Sequence, residues 1–372
     1  MNNVNKIKYK CIGCGLCENI CPKNCIKIRE NTNIGIRPSV NEELCIDCDL
    51  CIDLCPVSEI KYDEDLSELK AVYVGKSKEK KIRKNSSSGG IVSSTILNLF
   101  NKDKIDAAVV AFYDEKMNIY GDIITSEDEV LNHSGSYYHT SKMLINISKI
   151  KEYESLLFVG LPCQNVALEN YINKYSLDNI YAQISLFCTI GRMKNGFDDF
   201  LKKNKIDIGD KVIYKSRYGE YRPGNIIIES KDKKYSISYN NNKLLRDKDY
   251  YYVPNGCLNC KKLFGIESSD LSVGDAWHFD NNEKTAIISC NSPKGEKILL
   301  NNEKLVINYA TKNDLINSQT IGYNLKYKLR SQSRLVIKML KFFYRYLPKT
   351  KFIKKVLNKF RGYILSYIIK HE

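Results

Sequence analysis

Two stretches of this chain, "CIGCGLCENICP" from Cys11 to Pro22 and "CIDCDLCIDLCP" from Cys45 to Pro56, carry one spacing, C-x2-C-x2-C-x3-C-P, repeated 34 residues apart. Four thiols within eleven positions, twice over, constrain the fold more than any other feature of the chain. The opening MNNVNKIKYK is charged and has no apolar stretch behind it, so no export leader is expected. The expected compartment is the cytoplasm, where disulfides rarely persist, and fourteen cysteines then ask for metal or redox chemistry. Zinc sites usually pair two C-x2–4-C knuckles, which leaves two complete runs, each closed by Pro, unexplained.

The spacing is the one bacterial two-cluster ferredoxins use for [4Fe–4S] cubanes. Three close cysteines wrap one cubane, and the fourth is carried off by the helix that follows and reaches the other. This crossing assigns Cys11, Cys14, Cys17 and Cys55 to one cluster and Cys45, Cys48, Cys51 and Cys21 to the second. Pro22 and Pro56 hold the chain extended after the crossing cysteines. Gly13 and Gly15 relieve crowding in the first run; the second has Asp47 and Asp49 there, and two carboxylates beside an anionic cluster lower its potential. The intervening "CIKIRENTNIGIRPSVN" reads as strand, turn, strand. Cys25 fits neither set and reads as a packed thiol. Residues 1–62 form the expected two-cluster module, followed by an acidic linker with a boundary near residue 65.

Beyond it, "AVYVGKSK", "IDAAVVAFY", "SLLFVG" and "YAQISLFCTIG" read as strands, while "IVSSTILNLF" and "NSPKGEKILL" read as helices, with another expected from Asn165. Short strands are expected between Lys211 and Ile237. The fold class is α+β: a small ferredoxin-like domain, then a mixed α/β body, then a basic helical tail. "KNSSSGG" puts Ser86, Ser87, Ser88, Gly89 and Gly90 just before an apolar helix. Free N–H groups and small hydroxyls there suit a pyrophosphate, and a simple Ser N-cap is the plain alternative. His133 and His139 stand near "GSYYHTSK", and either could be an ordinary packed histidine.

The motifs "SSSGGIVSSTIL", "GSYYHTSK", "GLPCQNVAL", "FCTIG", "CLNC" and "DLSVGDAWHFD", in this order, resemble the coenzyme F420 hydrogenase/dehydrogenase beta-subunit family over roughly residues 70 to 305. The resemblance implies an N-terminal domain at 66–148 and a C-terminal domain at 149–310. It implies an iron–sulfur flavoprotein oxidoreductase that binds FAD and passes electrons between [4Fe–4S] clusters and a two-electron acceptor, a deazaflavin or another small molecule. Surface-polysaccharide metabolism is a setting it suggests. The Ser86–Gly90 loop becomes a flavin-phosphate site, and Gly135, Ser136 and Ser141 belong to a segment lining the flavin. That segment normally has Lys where this chain has Tyr137. Asp275, beside Trp277, and His278 are the candidates for a catalytic role. A redox partner protein or ferredoxin is the expected partner. The rival reading is a non-enzymatic electron-transfer subunit docking on a partner oxidoreductase.

Four further cysteines remain. Cys257 and Cys260 form a C-x2-C pair, half a metal site. Cys163 and Cys188 each follow an expected buried strand, and strand ends of an α/β body share an edge where sites gather. All four could converge on one point, and the resemblance, whose members carry an iron–sulfur centre beside the flavin, points to a third [4Fe–4S] cluster there. A dithiol at 257 and 260 with two core thiols elsewhere is the alternative. Cys290 has no partner in spacing. Nearly all of the net charge of +15 falls between Lys326 and Glu372, where fourteen Lys or Arg face a single acid. With no helix-turn-helix or RNA-binding pattern, nucleic acid is not expected as a partner. A basic amphipathic tail at 315–372 is instead expected to lie on an anionic membrane surface, peripherally at its inner face.

Overall fold

The computed structural model describes residues 2–31, 35–58, 64–239, 252–254, 256–257, 260–279, 282–328 and 356. In the front module each cysteine run turns into a short helix, α1 (Leu16–Ile20) and α2 (Leu50–Asp53). Strands β1 (Ile26–Asn31) and β2 (Gly35–Val40) pair antiparallel between them, Ile26 opposite Val40.

The body is built on a nine-stranded mixed sheet. Its strands in chain order are β3 (Ala71–Ser77), β4 (Ala107–Tyr113), β5 (Ile119–Ile124), β6 (Ser141–Lys142), β7 (Leu156–Gly160) and β8 (Ile180–Leu186). A separate three-stranded antiparallel sheet follows, β9 (Val212–Tyr218), β10 (Asn225–Ser230) and β11 (Lys233–Ser238). The large sheet is completed by β12 (Leu271–Asp275), β13 (Ala286–Cys290) and β14 (Leu305–Ala310). Its order is β14-β3-β13-β12-β8-β7-β4-β5-β6, so strands from either side of residue 149 share one sheet. The central β12, β8, β7 and β4 run parallel. They are short apolar runs because parallel strands are covered on both faces.

Helices α3 (Lys80–Asn85), α4 (Ile91–Asn101), α5 (Glu127–Val130), α6 (Pro162–Tyr175), α7 (Lys194–Lys203) and α8 (Pro293–Leu300) pack around this frame. Along β4 and β7 the side chains alternate between layers. Ala108, Val110, Leu157 and Val159 face a core with Ile91, Ile96 and Leu99 of α4 and Leu299 of α8. Ala107, Val109, Leu156 and Phe158 face the other way, onto α6 and onto Ile12, Leu16, Leu54 and Val57 of the front module. The module therefore shares an apolar core with the body.

Three readings change. Helix α6 starts at Pro162, ahead of the expected Asn165. Proline suits a first helical turn, and the Leu161 N–H donates to Gln164 Oε1 (2.8 Å). Residues 315–328, assigned to the tail on charge, belong to the body. Helices α9 (Lys312–Ser318) and α10 (Thr320–Tyr323) bury Leu315 against Leu263 and Phe264, and Lys326 is itself buried. Glu64, counted in the acidic linker, is buried too. Among the described residues no helix is long and apolar enough to cross a membrane. The rest of the basic tail, with its expected membrane contact, lies outside the described residues apart from Val356.

Candidate electron-transfer site

The left-handed turns after the first and second cysteines of each run set the site's geometry. Gly13 and Gly15 have φ of 80° and 90°, and Asp47 and Asp49 have 51° and 61°. The turn at Gly15 or Asp49 launches α1 or α2, which carries the fourth cysteine away from the first three. One cavity is consequently lined by Cys11, Cys14, Cys17 and Cys55, the other by Cys21, Cys45, Cys48 and Cys51 together with Cys25. Burial raises the pKa values in the first set, Cys14 to about 11 against two backbone hydrogen bonds, and neighbouring thiols add to it for Cys55, pushed up to about 12, and for Cys17, also well up. Cys51 is among the groups acting on both Cys17 and Cys55, so the two sets adjoin. Cys25 lies 3.4 Å from Cys21, sulfur to sulfur, and is buried.

The dispersed cysteines also meet. Cys163 sits in the first turn of α6, after β7, and Cys188 follows β8, its neighbour in the sheet. The Cys188 N–H donates to the Leu263 carbonyl (2.9 Å), which draws in the segment bearing Cys257 and Cys260. Burial raises the Cys163 thiol, and Cys260, Cys188 and Cys257 add to it, followed by Cys14 of the front module. Burial likewise pushes Cys257 up to about 12, with Cys188 and Cys260 adding. Cys257 in turn acts on Cys11. Among the described residues no three Cys, His or carboxylate donors already stand in ligating geometry for a single metal ion. Cys290 is buried in the main core, away from these sets.

Lys326 reaches the third set. Its buried Nζ lies 3.7 Å from Cys260 Sγ and donates to the Lys262 carbonyl. Burial opposes its charge, but Cys260, Cys188, Glu64 and Cys257 outweigh that and raise its pKa. Glu64 accepts from the N–H groups of Leu263 (2.7 Å), Phe264 (2.9 Å) and Gly265, and from the Tyr327 hydroxyl. A buried cation without a direct carboxylate partner is costly. Four thiolates around a metal would supply the missing negative charge, and in that respect the donor set fits an iron–sulfur centre.

The Ser-Gly loop forms a second site. Ser87 Oγ donates to the Ser216 carbonyl (3.4 Å) and Ser88 Oγ to the Thr285 carbonyl (2.9 Å). Gly89 has no room for a Cβ, which would stand 2.6 Å from the Gly75 carbonyl oxygen. Gly90, at φ 80°, caps α4. Gly135 lies alongside, a Cβ there meeting the Asn85 and Ser216 carbonyls at 3.8 and 4.0 Å. Ser136 is half-buried. Ser141 stands elsewhere, on β6, where its hydroxyl accepts from Gln164 of α6 (2.8 Å).

Lys284, fully buried, donates to the carbonyls of Arg83 (3.2 Å), Ser86 and Arg217, and so braces the loop. Burial lowers its pKa to about 7, with Arg217 adding and Asp275 opposing. Arg217 pairs with Asp275 at 2.6 Å and stacks on Trp277 at 5.0 Å. Ser86 Oγ, Arg217 Nη2 and Asp275 Oδ1 are buried with no hydrogen-bond partner among the described residues. Orphaned buried polar atoms of this kind call for a ligand. A hydroxyl, a guanidinium and the N-terminus of an eleven-residue helix fit a phosphate-bearing group.

The remaining candidates separate. His278 is half exposed and lies 3.7 Å from Asp314. His133 is bound to the Glu129 carbonyl (2.8 Å) and Asp122 (3.0 Å). His139 donates to the Met117 carbonyl (2.7 Å), and burial lowers its pKa to about 4. Tyr137 stacks on Tyr214 at 6.0 Å within an aromatic cluster. Arg217, Lys284, Lys326 and Glu64 escaped sequence reasoning. None stands in a spaced motif, and two fall in segments classified by charge alone.

A front module with two cysteine-lined cavities, set on a mixed-sheet body, defines an iron–sulfur electron-transfer protein. The model of a 4Fe-4S dicluster domain matches residues 10–58. Those for the N-terminal part and the C terminus of the coenzyme F420 hydrogenase/dehydrogenase beta subunit match 72–147 and 153–313. The chain belongs to that beta-subunit family. An uncharacterised protein of Methanocaldococcus jannaschii is 26% identical over 302 residues, covering 72% of this chain and 80% of its own length. A subunit of the F(420)H(2) dehydrogenase of Methanosarcina mazei is 27% identical over 186 residues, 48% of this chain and 53% of that protein. The chain thus spans about half of this second relative. The fold is shared with a chain of the F420-reducing [NiFe] hydrogenase complex from Methanosarcina barkeri, with a TM-score of 0.52 at 15% identity, covering 73% of this chain and 96% of that one.

Proposed function

We propose that the protein is an iron–sulfur flavoprotein that exchanges electrons between a redox partner protein and a two-electron acceptor. The observation that carries the reading is the arrangement of twelve cysteines in three adjoining sets of four. The outer set, Cys21, Cys45, Cys48 and Cys51, has the exposed thiol, Cys48. Cys51 adjoins the second set, while Cys14 and Cys11 of that set adjoin Cys163 and Cys257 of the third. Clusters held there supply one-electron carriage, and FAD supplies the exchange between one- and two-electron steps.

The chain's residues hold and orient these groups. Ser86, Arg217 and the α4 N-terminus bind the flavin phosphates, Lys284 fixes the loop, and Asp275 offers its unpartnered oxygen to a flavin hydroxyl or N–H. The names of the Methanosarcina mazei relative and of the hydrogenase complex make the deazaflavin F420 the first two-electron partner to try, in either direction. The test is anaerobic purification, identification of the flavin released on denaturation, and assay with reduced F420 as hydride donor. FAD and flavin reduction are expected, and Arg217→Met should lose most of the FAD. Folded, iron-loaded protein that takes up no flavin would overturn the flavoprotein reading and leave a non-enzymatic relay.

A further inference from the structure

We propose that Lys326 is a built-in counter-ion of the four-cysteine site in the body and makes that site easier to reduce than its ligands alone would. The inference rests on the reading of Cys163, Cys188, Cys257 and Cys260 as cluster ligands. It goes beyond that reading by assigning a determinant of potential to a residue outside the 153–313 family match.

Lys326 is buried at the end of a segment that returns to the body after α9 and α10. Among the described residues its Nζ has two partners, the Cys260 sulfur at 3.7 Å and the Lys262 carbonyl. Among the described residues it makes no direct ion pair with a carboxylate. The nearby carboxylate, Glu64, is spent on three backbone N–H groups of residues 263–265 and on the Tyr327 hydroxyl. Those bonds secure the chain on both sides of the lysine's anchor, the residue after it and the loop beside it. Glu64 falls between the segments matched at 10–58 and 72–147. Two pieces of chain outside all three family matches thus hold one cation against one sulfur.

Reduction of a metal–thiolate centre adds one electron, here from a neighbouring four-cysteine set or from dithionite in a titration. The centre becomes more negative by one unit, with no bond made or broken. A fixed cation at hydrogen-bonding range to a ligand sulfur attracts the reduced form more than the oxidised one, and a dry site screens that attraction little. The outer front set has a neutral partner instead, the Asn3 side-chain amide, which donates to Cys45 Sγ (3.7 Å). Cys48 is exposed, and the groups nearest that set include Asp47 and Asp49, whose charge acts in the opposite sense.

The experiment is an EPR-monitored redox titration of the anaerobically reconstituted full chain, with iron counted in the same samples. Native protein is compared with Lys326→Met, which keeps most of the stem, and with Lys326→Arg, which keeps the charge. The expected result is equal iron in all three, one of three midpoints lowered in Lys326→Met, and that midpoint restored in Lys326→Arg. Loss of about four irons, one cubane, from Lys326→Met but not from Lys326→Arg also supports the counter-ion. Unchanged midpoints at full iron content overturn it, as does equal loss of iron from both variants, which would make the role one of shape. A native chain with about eight irons, two cubanes, removes the third cluster itself and the counter-ion with it.

Discussion

The two cysteine runs are near copies in sequence and opposites in setting. Cys14 is buried and its counterpart Cys48 is exposed. The Cys14 carbonyl accepts from the Leu144 N–H of the body (2.9 Å), whereas the Cys48 carbonyl accepts from Leu50 within its own run (2.7 Å). Both runs need a left-handed residue before their helix. Gly15 fills it where a Cβ would stand 3.1 Å from the Ile145 nitrogen, and Asp49, half-buried, fills it in the second run. Asp is among the few residues that tolerate this conformation when nothing crowds the Cβ. The Gly-to-Asp difference therefore records which half of a symmetric module faces the body and which faces outward.

Exchanging the two residues should break this comparison most strongly. Gly15→Asp forces a side chain against Lys142 and Ile145 at φ 90° and should cost about 2 kcal/mol or more. Asp49→Gly removes a buried carboxylate oxygen that has no partner and should stay within about 0.5 kcal/mol of native. Denaturant unfolding of both variants checks this, and equal costs would mean that the module does not dock through its first half.

A smaller effect sharpens the same point. Glu18, in α1, joins the Ile28 N–H (2.9 Å), Lys142 of the body (2.9 Å) and Lys27 (3.2 Å). Burial alone would raise its pKa, but these partners outweigh it and bring it below its usual 4.5. The ionised form is thus favoured by folding. The stabilisation is complete above 4.5 and is lost as pH falls through the lower folded value. Glu18→Gln should weaken the junction by about 1 kcal/mol at neutral pH. Amide exchange at residues 143–147 should rise in the variant and, in the native chain, rise only on acidification. Unchanged protection in the variant would detach Glu18 from the docking.

What could be read from sequence follows from where the information is stored. The crossing of Cys21 and Cys55 is local, a matter of thiol spacing and a turn, so the gathering seen in the two front cavities was legible. The strand ends carrying Cys163 and Cys188 were legible because apolar runs mark buried strands. The lysine beside Cys260 was not. Lys326 opens a stretch of fourteen cations, and charge counting gives no sign that the first of them turns inward while Tyr323 and Tyr327 pack on the body. Glu64 was hidden in the same way by acidic neighbours. Arg217 and Asp275 lie 58 residues apart and meet only because β9 and β12 end side by side at the loop.

The central claim is that twelve cysteines hold three clusters, one of them inside the body. Iron per chain, measured in the anaerobically reconstituted full chain and in its Cys257→Ser/Cys260→Ser variant, tests it most directly. The account predicts about twelve irons in the native chain and about eight in the variant, at four per cubane, with the front signals unchanged. About eight irons in both, from four in each front set, would contradict it.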